Sequence, residues 1–430
     1  MIEADVVVVG AGPAGIAAAT TAAHKGCSVV VVDDNASAGG QIWRDAVSSA
    51  NGKSDSKKAR AFAEFHQSGA RLLAGRKVFD APQPRVLRTI AEGSAGPGES
   101  LAWRRMIIAT GARERFLPFP GWTLPGVVGA GGLQALARSG FPVKGKRIVV
   151  AGTGPLLLAV AFHLQQKGAK IVTIAEQAQV ARLMGLAIKL WSHPAKGLQG
   201  IGYRAALGRV GYRTGCWVAS AVGAEKVNSV QLTDGKRTWT ESCDLLACGF
   251  HLVPNTELAL LLGCKLDGDN VHVDGDQKTS VSDVYCAGEP TGIAGLDAAL
   301  AQGQIAGLSA AGEERIPPGL RARRDREGDF GRAMDRAFAL RPELFSLAAN
   351  DTIVCRCEDV RYAELAGWRS WTEAKLQTRC GMGACQGRVC GPAVEALFGW
   401  KNLSIRPPLY PVLTSALCDH DEIRVTQESL

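Results

Sequence analysis

The sequence has no run of about 18 apolar residues, so it offers no membrane-spanning helix. It also lacks a dominant charge. Its 49 basic and 41 acidic side chains leave a net +8 that is spread along the chain, which argues against nucleic acid as a partner. The first strand starts at Asp5, leaving no room for a secretory signal peptide. A disulfide framework is therefore not expected, despite 12 cysteines. An acid–base or nucleophilic constellation is missing too. His24, His66, His163, His193, His251, His272 and His420 are scattered, and each reads as structural or solvated. Chemistry in such a chain is expected to come from bound cofactors. What the chain does have is length, glycine and clustered cysteine. Its 430 residues imply two to four domains at roughly 100–200 residues each. Glycine accounts for 51 residues, about 12% against a usual ~7%. Glycines gather where a backbone turns sharply or must approach a ligand.

Asp5 to Val9 is a continuous apolar strand. G-A-G-P-A-G follows at Gly10–Gly15, then an alanine-rich helix from Ile16 to His24 that Gly26 ends, then a strand from Ser28 to Val32 ending at Asp33. This is the strand–glycine loop–helix–strand–acid order of a dinucleotide site. Gly10 makes the tight turn and Gly12 admits a pyrophosphate. Pro13 and Ala14 carry the loop into the helix, and Gly15 lets helix meet strand. The helix N-terminus supplies N–H groups and the positive end of its dipole. Asp33 is placed to accept from ribose hydroxyls, with Asp34 as its solvated neighbour. Gly39–Arg44 (G-G-Q-I-W-R) reads as a loop carrying Gly40 and Gln41 beside the cofactor, or as a simple turn. Residues 46–100, with a Ser/Lys-rich patch at Ser48–Lys58, read as an excursion of helix and strands. The strand Met106–Ala112 is stopped at Thr110-Gly111.

A second unit of the same kind runs from Arg147 through G-T-G-P-L-L, which begins at Gly152, to Glu176. Its third glycine position is Leu157, which is expected to push helix from strand and narrow the phosphate approach. The unit binds a nicotinamide nucleotide, or it is retained for packing or for partner contacts. Two more strand-to-glycine signals follow, Leu245–Phe250 and Val284–Glu289. In the second, Gly288 and Glu289 stand before a helix from about Leu296, where an acid can bond ribityl hydroxyls of a flavin. Gly312–Gly328, with Pro317-Pro318-Gly319 and Arg321, Arg323, Arg324 and Arg326, reads as a solvated linker or a patch for an acidic protein surface. Phe330–Leu347 reads as a strap helix.

Five cysteines fall between Cys355 and Cys390: Cys355, Cys357, Cys380, Cys385 and Cys390. Four thiolates can hold an iron–sulfur cluster. Gly381, Gly383 and Gly387 let the loop wrap it, and the helix Ala393–Phe398 presents its positive end. C-x-C with C-x4-C matches zinc spacing poorly, but zinc and inert cysteines remain alternatives. The other seven cysteines read as small hydrophobes.

G-A-G-P-A-G, A-T-G and A-G-E in this order resemble the pyridine-nucleotide-disulfide oxidoreductase superfamily, over roughly residues 1–310. The disulfide reductases of that superfamily carry a close redox cysteine pair. This chain has neither C-x4-C after Gly39-Gly40 nor C-x-x-C in the middle, which disfavours disulfide reduction. T-R-C-G-M-G-A-C-Q-G-R-V-C-G-P resembles the bacterioferritin-associated ferredoxin-like [2Fe–2S] domain. That likeness implies Cys355, Cys357, Cys385 and Cys390 as ligands and Cys380 as the spare. Nearly the whole chain is similar to the alpha subunit of heteromeric amine-oxidising flavoenzymes, of the opine, D-hydroxyproline and L-proline dehydrogenase and hydrogen cyanide synthase kind.

The resemblance implies an α/β fold of two Rossmann-like dinucleotide-binding domains, the second inserted in the first, with a small C-terminal α-rich [2Fe–2S] domain. The expected bounds are 1–115 with 245–311, then 116–244, a linker and strap at 312–348, the cluster domain at 349–410 and a tail at 411–430. It implies FAD, or ATP, in the first site, and an FMN at the interface with an FAD-containing beta subunit. A quinone or carrier as acceptor and a small gamma subunit with an iron–sulfur centre belong to the same picture. A secondary amine or amino acid would lose a hydride equivalent to flavin on the beta subunit, and the imine would hydrolyse. The cluster would pass the electrons on singly. The expected location is cytoplasmic, with a peripheral position at the inner membrane face as the alternative. Two rival functions stay open: a self-contained NAD(P)H-dependent reductase, and an assembly subunit with a structural nucleotide.

Overall fold

In the computed structural model the described residues are 1–43, 56–401 and 405–418. Arg44, Ser48–Asp55 of the polar patch, and His420 lie outside them. The chain is α/β and divides into two compact units: Met1–Arg113, Pro254–Gly331 and Leu403–Leu430 in the first, Glu114–Val253 and Arg332–Asn402 in the second.

The first unit is built on a sheet whose central strand, Ile2–Val9, pairs in parallel with Val29–Val32 on one side and Glu99–Ile108 on the other. Val6, Val7 and Val8 are fully buried, as expected of an unbroken apolar run covered on both faces. Val284–Cys286 adds to Glu99–Ile108 in parallel, and Val86–Ala91 pairs with it antiparallel. The helix Pro13–His24 begins at a proline, whose fixed φ suits the first turn. Its alanines have a packing reason. Gly303 and Gly307 of the helix Leu296–Ala310 lie so close to the Ala14 and Ala18 carbonyls that no Cβ would fit.

The second unit holds a five-stranded parallel sheet in the order Gly211–Thr214, Lys170–Glu176, Arg147–Thr153, Leu245–Phe250, Val127–Gly129. Leu157 is fully buried with Ile148, Val150, Val160 and Ala247. Burying a leucine contributes roughly 1.5–3 kcal/mol. The cysteine-rich region folds as a small ribbon, Ile353–Cys355 with Val360–Arg361, and the helices Trp371–Thr378 and Cys390–Phe398. Its own core includes Val354, Leu365, Trp371 and Val394.

One expectation is corrected. Helix occupies Pro318–Ala337, not Phe330–Leu347, so much of the expected linker is helical. Pro318 is well placed as a first helical residue. The Arg- and Ala-rich stretch after it favours helix, and Phe330, Ala333 and Ala337 are buried at helical spacing. Pro342 then forces Arg341 into extended backbone, and only a 3-10 turn, Pro342–Ser346, follows. Among the described residues no helix is long and apolar enough to cross a membrane.

Candidate functional site

The first unit contains a cleft at the carboxyl ends of its parallel strands, the usual ligand position in such sheets. Of the residues expected there, Gly10, Gly12, Pro13, Ala14, Asp33, Asp34, Gly40, Gln41, Thr110, Gly111, Gly288 and Glu289 line it. Gly15 lies beneath instead, where a Cβ would run into the Gly10 carbonyl. Gly10 has φ +107° and packs on the Ala109 carbonyl, a place no other residue fits. Over Gly12 there is open space. The Gly39 N–H donates to the Ala11 carbonyl at 2.8 Å, which lays the second glycine loop on the first. Asp33 is buried and accepts from the N–H groups of Ala11 and Asn35. Burial raises the Asp34 carboxyl above its ordinary range, and the Asp33 charge adds to the effect.

The opposite wall is tied by contacts that the sequence did not reveal. Thr110 and Asn255 bond reciprocally, Thr110 Oγ1 donating to the Asn255 carbonyl at 2.7 Å and Asn255 Nδ2 to the Thr110 carbonyl at 2.9 Å. Arg113 donates to Asn255 Oδ1 at 2.7 Å and pairs with Glu257 at 2.8 Å. Gly288, at φ +83°, donates its N–H to Gln302 Oε1 at 2.8 Å. The carboxyl of Glu289 accepts from the Ala112 N–H, and its pKa is raised by burial. Leu409 and Tyr410 return from far along the chain to close one end. Pro254-Asn255 directly after a strand and a lone Gln302 on an apolar helix were the available signals. Leu409 and Tyr410 had none.

The second nucleotide fold is arranged differently. Glu176 is fully buried. Its carboxylate accepts from the Gly154 N–H at 2.8 Å, from Thr153 Oγ1 at 2.9 Å and from the Ala178 N–H at 2.9 Å. Burial outweighs these bonds and pushes its pKa up to about 7. Beyond the ends of three adjacent strands, Thr153, Gln177 and His251 all converge on one carbonyl, that of Phe338, at 3.1, 3.2 and 2.7 Å. His251 Nε2 must carry the proton there, because a carbonyl only accepts. Gln177 also donates to the Ala339 carbonyl and accepts from the Arg341 N–H. The segment Phe338–Arg341 thus crosses the ends of these three strands.

In the cysteine region, the Sγ atoms of Cys355, Cys380 and Cys390 lie within 4.8 Å of one another. Cys385 is within hydrogen-bond reach of both Cys390 and Cys357, so all five thiols form one connected group. Hydrogen bonds from Cys380 and Cys390 hold the Cys355 thiol down at about 2, and one from Cys390 brings Cys385 to about 5. Backbone N–H groups of Gly381 and Glu358 point at Cys355 sulfur, and those of Val389 and Gly387 at Cys385. Cys390 opens the helix Cys390–Phe398, whose positive end favours bound negative charge. A soft, all-thiolate donor set cradled by N–H groups is compatible with an iron–sulfur centre. Gly383 stands where a Cβ would strike Cys357. Arg356, between Cys355 and Cys357, also lines a cavity of about 530 Å³ with Phe116, Phe119, Trp122 and Phe250, and Glu114 is the other charged group there.

The comparisons agree with this architecture. The pyridine nucleotide-disulphide oxidoreductase family matches residues 4–303. An opine oxidase subunit of Rhizobium meliloti is 31% identical over 96% of this chain and 98% of its own length. Hydrogen cyanide synthase subunit HcnB of Pseudomonas protegens is 29% identical over 97% of this chain and 98% of its own. L-proline dehydrogenase from P. horikoshii shares the fold, with a TM-score of 0.72 over 97% of this chain and 80% of that one at 18% identity. The open glycine-lined cleft, the thiol group and full-length relatives that are themselves enzyme subunits lead to one conclusion: the chain belongs to the pyridine nucleotide-disulphide oxidoreductase family and is a subunit of a heteromeric flavin-dependent dehydrogenase.

Proposed function

We propose that this chain is the electron-transfer alpha subunit of an enzyme that oxidises a secondary amine or amino acid of the opine, hydroxyproline or proline type, the substrate site lying on a beta subunit. The observation that carries the reading is the contrast between an open first nucleotide fold and a second one closed by Phe338–Arg341. A chain that reduced itself with NAD(P)H would need the second fold open. FAD, rather than ATP, is the proposed occupant of the first cleft. Gly10, Gly12, Pro13 and Ala14 would admit its pyrophosphate, Asp33 its ribose, and Gly288 and Glu289 its ribityl chain. Gly15 would hold the loop in shape, while Asp34, Gly40, Gln41, Thr110 and Gly111 complete the walls.

Cys355, Cys357, Cys385 and Cys390 are the proposed [2Fe–2S] ligands, with Cys380 packed beside Cys355. When bound, flavin supplies two-electron chemistry and the cluster one-electron chemistry. The chain's own residues would hold and orient these groups. On the family resemblance the reading extends to an FMN shared with the beta subunit, to a quinone or carrier as acceptor, and to a small gamma subunit.

The test is a visible spectrum of the chain purified without oxygen, acid extraction of its nucleotide, and titration with NADH. The expected result is flavin bands, a reducible iron–sulfur shoulder, released FAD and no bleaching by NADH. Bleaching by NADH would establish the self-contained reductase instead. ATP with no flavin would leave the first cleft a structural role, and absence of iron would overturn the ligand assignment.

A further inference from the structure

The second unit carries a helical hairpin, Val180–Leu190 and Pro194–Ala206, that is built for burial on two sides. On the first helix Leu186 is buried, and Leu183 and Leu190 beside it are half-buried. The adjoining arc holds Val180, Met184, Ala187, Ile188 and, just past the helix end, Trp191, all exposed. Ile188 is 75% and Trp191 88% exposed. A surface helix ordinarily turns polar residues away from the core. Here that arc has no polar side chain, and the helix's two bases, Arg182 and Lys189, stand off it. The second helix repeats the pattern with Leu198, Ile201 and Ala205 exposed on one arc. Six of the 16 exposed large hydrophobics in the described residues lie on this hairpin, and the other ten are dispersed. Charge here has one sign. Arg182, Lys189, Lys196, Arg204 and Arg209 occur with no Asp or Glu between Glu176 and Glu225.

We infer that this hairpin is the docking surface for the flavin-bearing partner subunit, whose matching face is an apolar groove rimmed by carboxylates. The inference rests on the heteromeric reading above. An outward arc free of polar groups resembles one half of a divided domain core, as at obligate interfaces. Trp, Met and Arg are the residues enriched at interface centres, and acids are depleted there. The one-signed basic margin selects an acidic partner rim and rejects a basic one. A lipid surface or a second copy of this chain are the competing occupants.

The experiment uses the assembled enzyme, isolated through a tag on this chain. The variants are Ile188→Glu with Met184→Glu on the apolar arc, and Lys189→Glu with Arg204→Glu on the margin. In the wild type the flavoprotein subunit is expected in stoichiometric amount, with hydrogen exchange of residues 180–206 slowed in the complex relative to the free chain. The apolar-arc variant is expected to keep its bound flavin, iron and melting temperature while its apparent Kd for the partner rises at least about 100-fold. The margin variant is expected to weaken association about 10-fold and to flatten its salt dependence.

Assembly of the apolar-arc variant with wild-type affinity overturns the inference. In that case, loss of binding to phosphatidylglycerol vesicles assigns the face to lipid, and loss of self-association assigns it to a second copy. A wild-type chain that purifies alone and oxidises the amine by itself overturns the heteromeric reading and this inference together, a result distinct from either.

Discussion

The two nucleotide folds of this chain start from nearly the same sequence and end in different states. Both loops leave open space over their second glycine, Gly12 and Gly154; G-A-G-P-A-G lines a cleft, whereas beyond G-T-G-P-L-L the strand ends are crossed by Phe338–Arg341. The two folds differ at three matched positions, and His251 adds the shortest contact to the strap. Where the first loop has Gly15 pressed on the Gly10 carbonyl, the second has Leu157 filling the space between helix and sheet. Where the first has Ala11, the second has Thr153, whose hydroxyl bonds both Glu176 and the strap. Where the first has Asp34, exposed at the cleft wall, the second has Gln177, buried and spent on Thr153, Phe338, Ala339 and Arg341. A dinucleotide fold can thus keep its topology while a piece of its own chain bonds to its strand ends. Such bonding needs only a few polar residues at strand ends that find backbone partners.

The comparison breaks most sharply if the second fold's leucine is moved into the first. Gly15→Leu would drive a side chain onto the Gly10 carbonyl and lift the helix off the loop. The expected outcome is complete loss of retained flavin, read as the flavin-to-protein ratio after desalting. Retention of flavin near the wild-type ratio would show that the close helix–strand approach is not what forms the cradle.

The thiol group gives the next largest effect. Cys357→Ser is expected to abolish the iron–sulfur absorption, whereas Cys380→Ala is expected to keep the cluster with a shifted electron paramagnetic resonance spectrum. The opposite pattern would exchange Cys380 for Cys357 in the ligand set. The geometry makes this a fair contest, because Cys380 lies with Cys355 and Cys390 while Cys357 reaches the group through Cys385.

Leu157→Ala comes third. A fully buried leucine cut to alanine costs about 2–5 kcal/mol, to be measured as a lower urea midpoint. Flavin content of the first fold is expected to stay unchanged. Leu157→Gly would restore the glycine pattern, yet isothermal titration should still detect no NADH binding while the strap is in place. Binding by that variant would assign the closure to the leucine alone.

Much of this was legible in the sequence, and what was not has a common physical cause. The glycine loops, the strand-end acids and the cysteine pattern are local, because each motif needs a particular backbone at a fixed spacing. The departure of the second loop from the first was visible at Leu157, which the fold buries in the core of the second unit. The strap was not, since its contacts join Thr153, Gln177 and His251 to a carbonyl far along the chain, and a backbone carbonyl leaves no mark on sequence. The helix Pro318–Ala337 was misplaced for a related reason. Its Arg-rich surface looks like linker, and only Phe330, Ala333 and Ala337 show that one side is buried. The return of Leu409 and Tyr410 to the first cleft lies beyond any local signal.

The smallest effect sharpens the comparison through pH. Burial raises the Glu176 carboxyl from 4.5 to about 7 in the folded chain. Folding therefore favours its protonated form. The stability it contributes is fully present below pH 4.5 and is lost as pH rises through about 7. At about 1.36 kcal/mol per pKa unit the loss approaches about 3 kcal/mol. His251, which donates to the same Phe338 carbonyl, has its pKa lowered by burial and acts in the opposite sense, its contribution being lost as pH falls. The wild-type profile alone would mix the two. The difference between wild type and Glu176→Gln isolates the carboxylate, because the amide keeps an acceptor for the Gly154 N–H and does not titrate. Melting temperatures between pH 5 and 8 are expected to fall for the wild type relative to the variant as pH rises. A constant difference across that range would mean that the carboxylate is stabilised in its charged form by the N–H groups of Gly154 and Ala178. The second fold would then still hold an anionic site of the kind a ribose uses, with the strap as a removable cover.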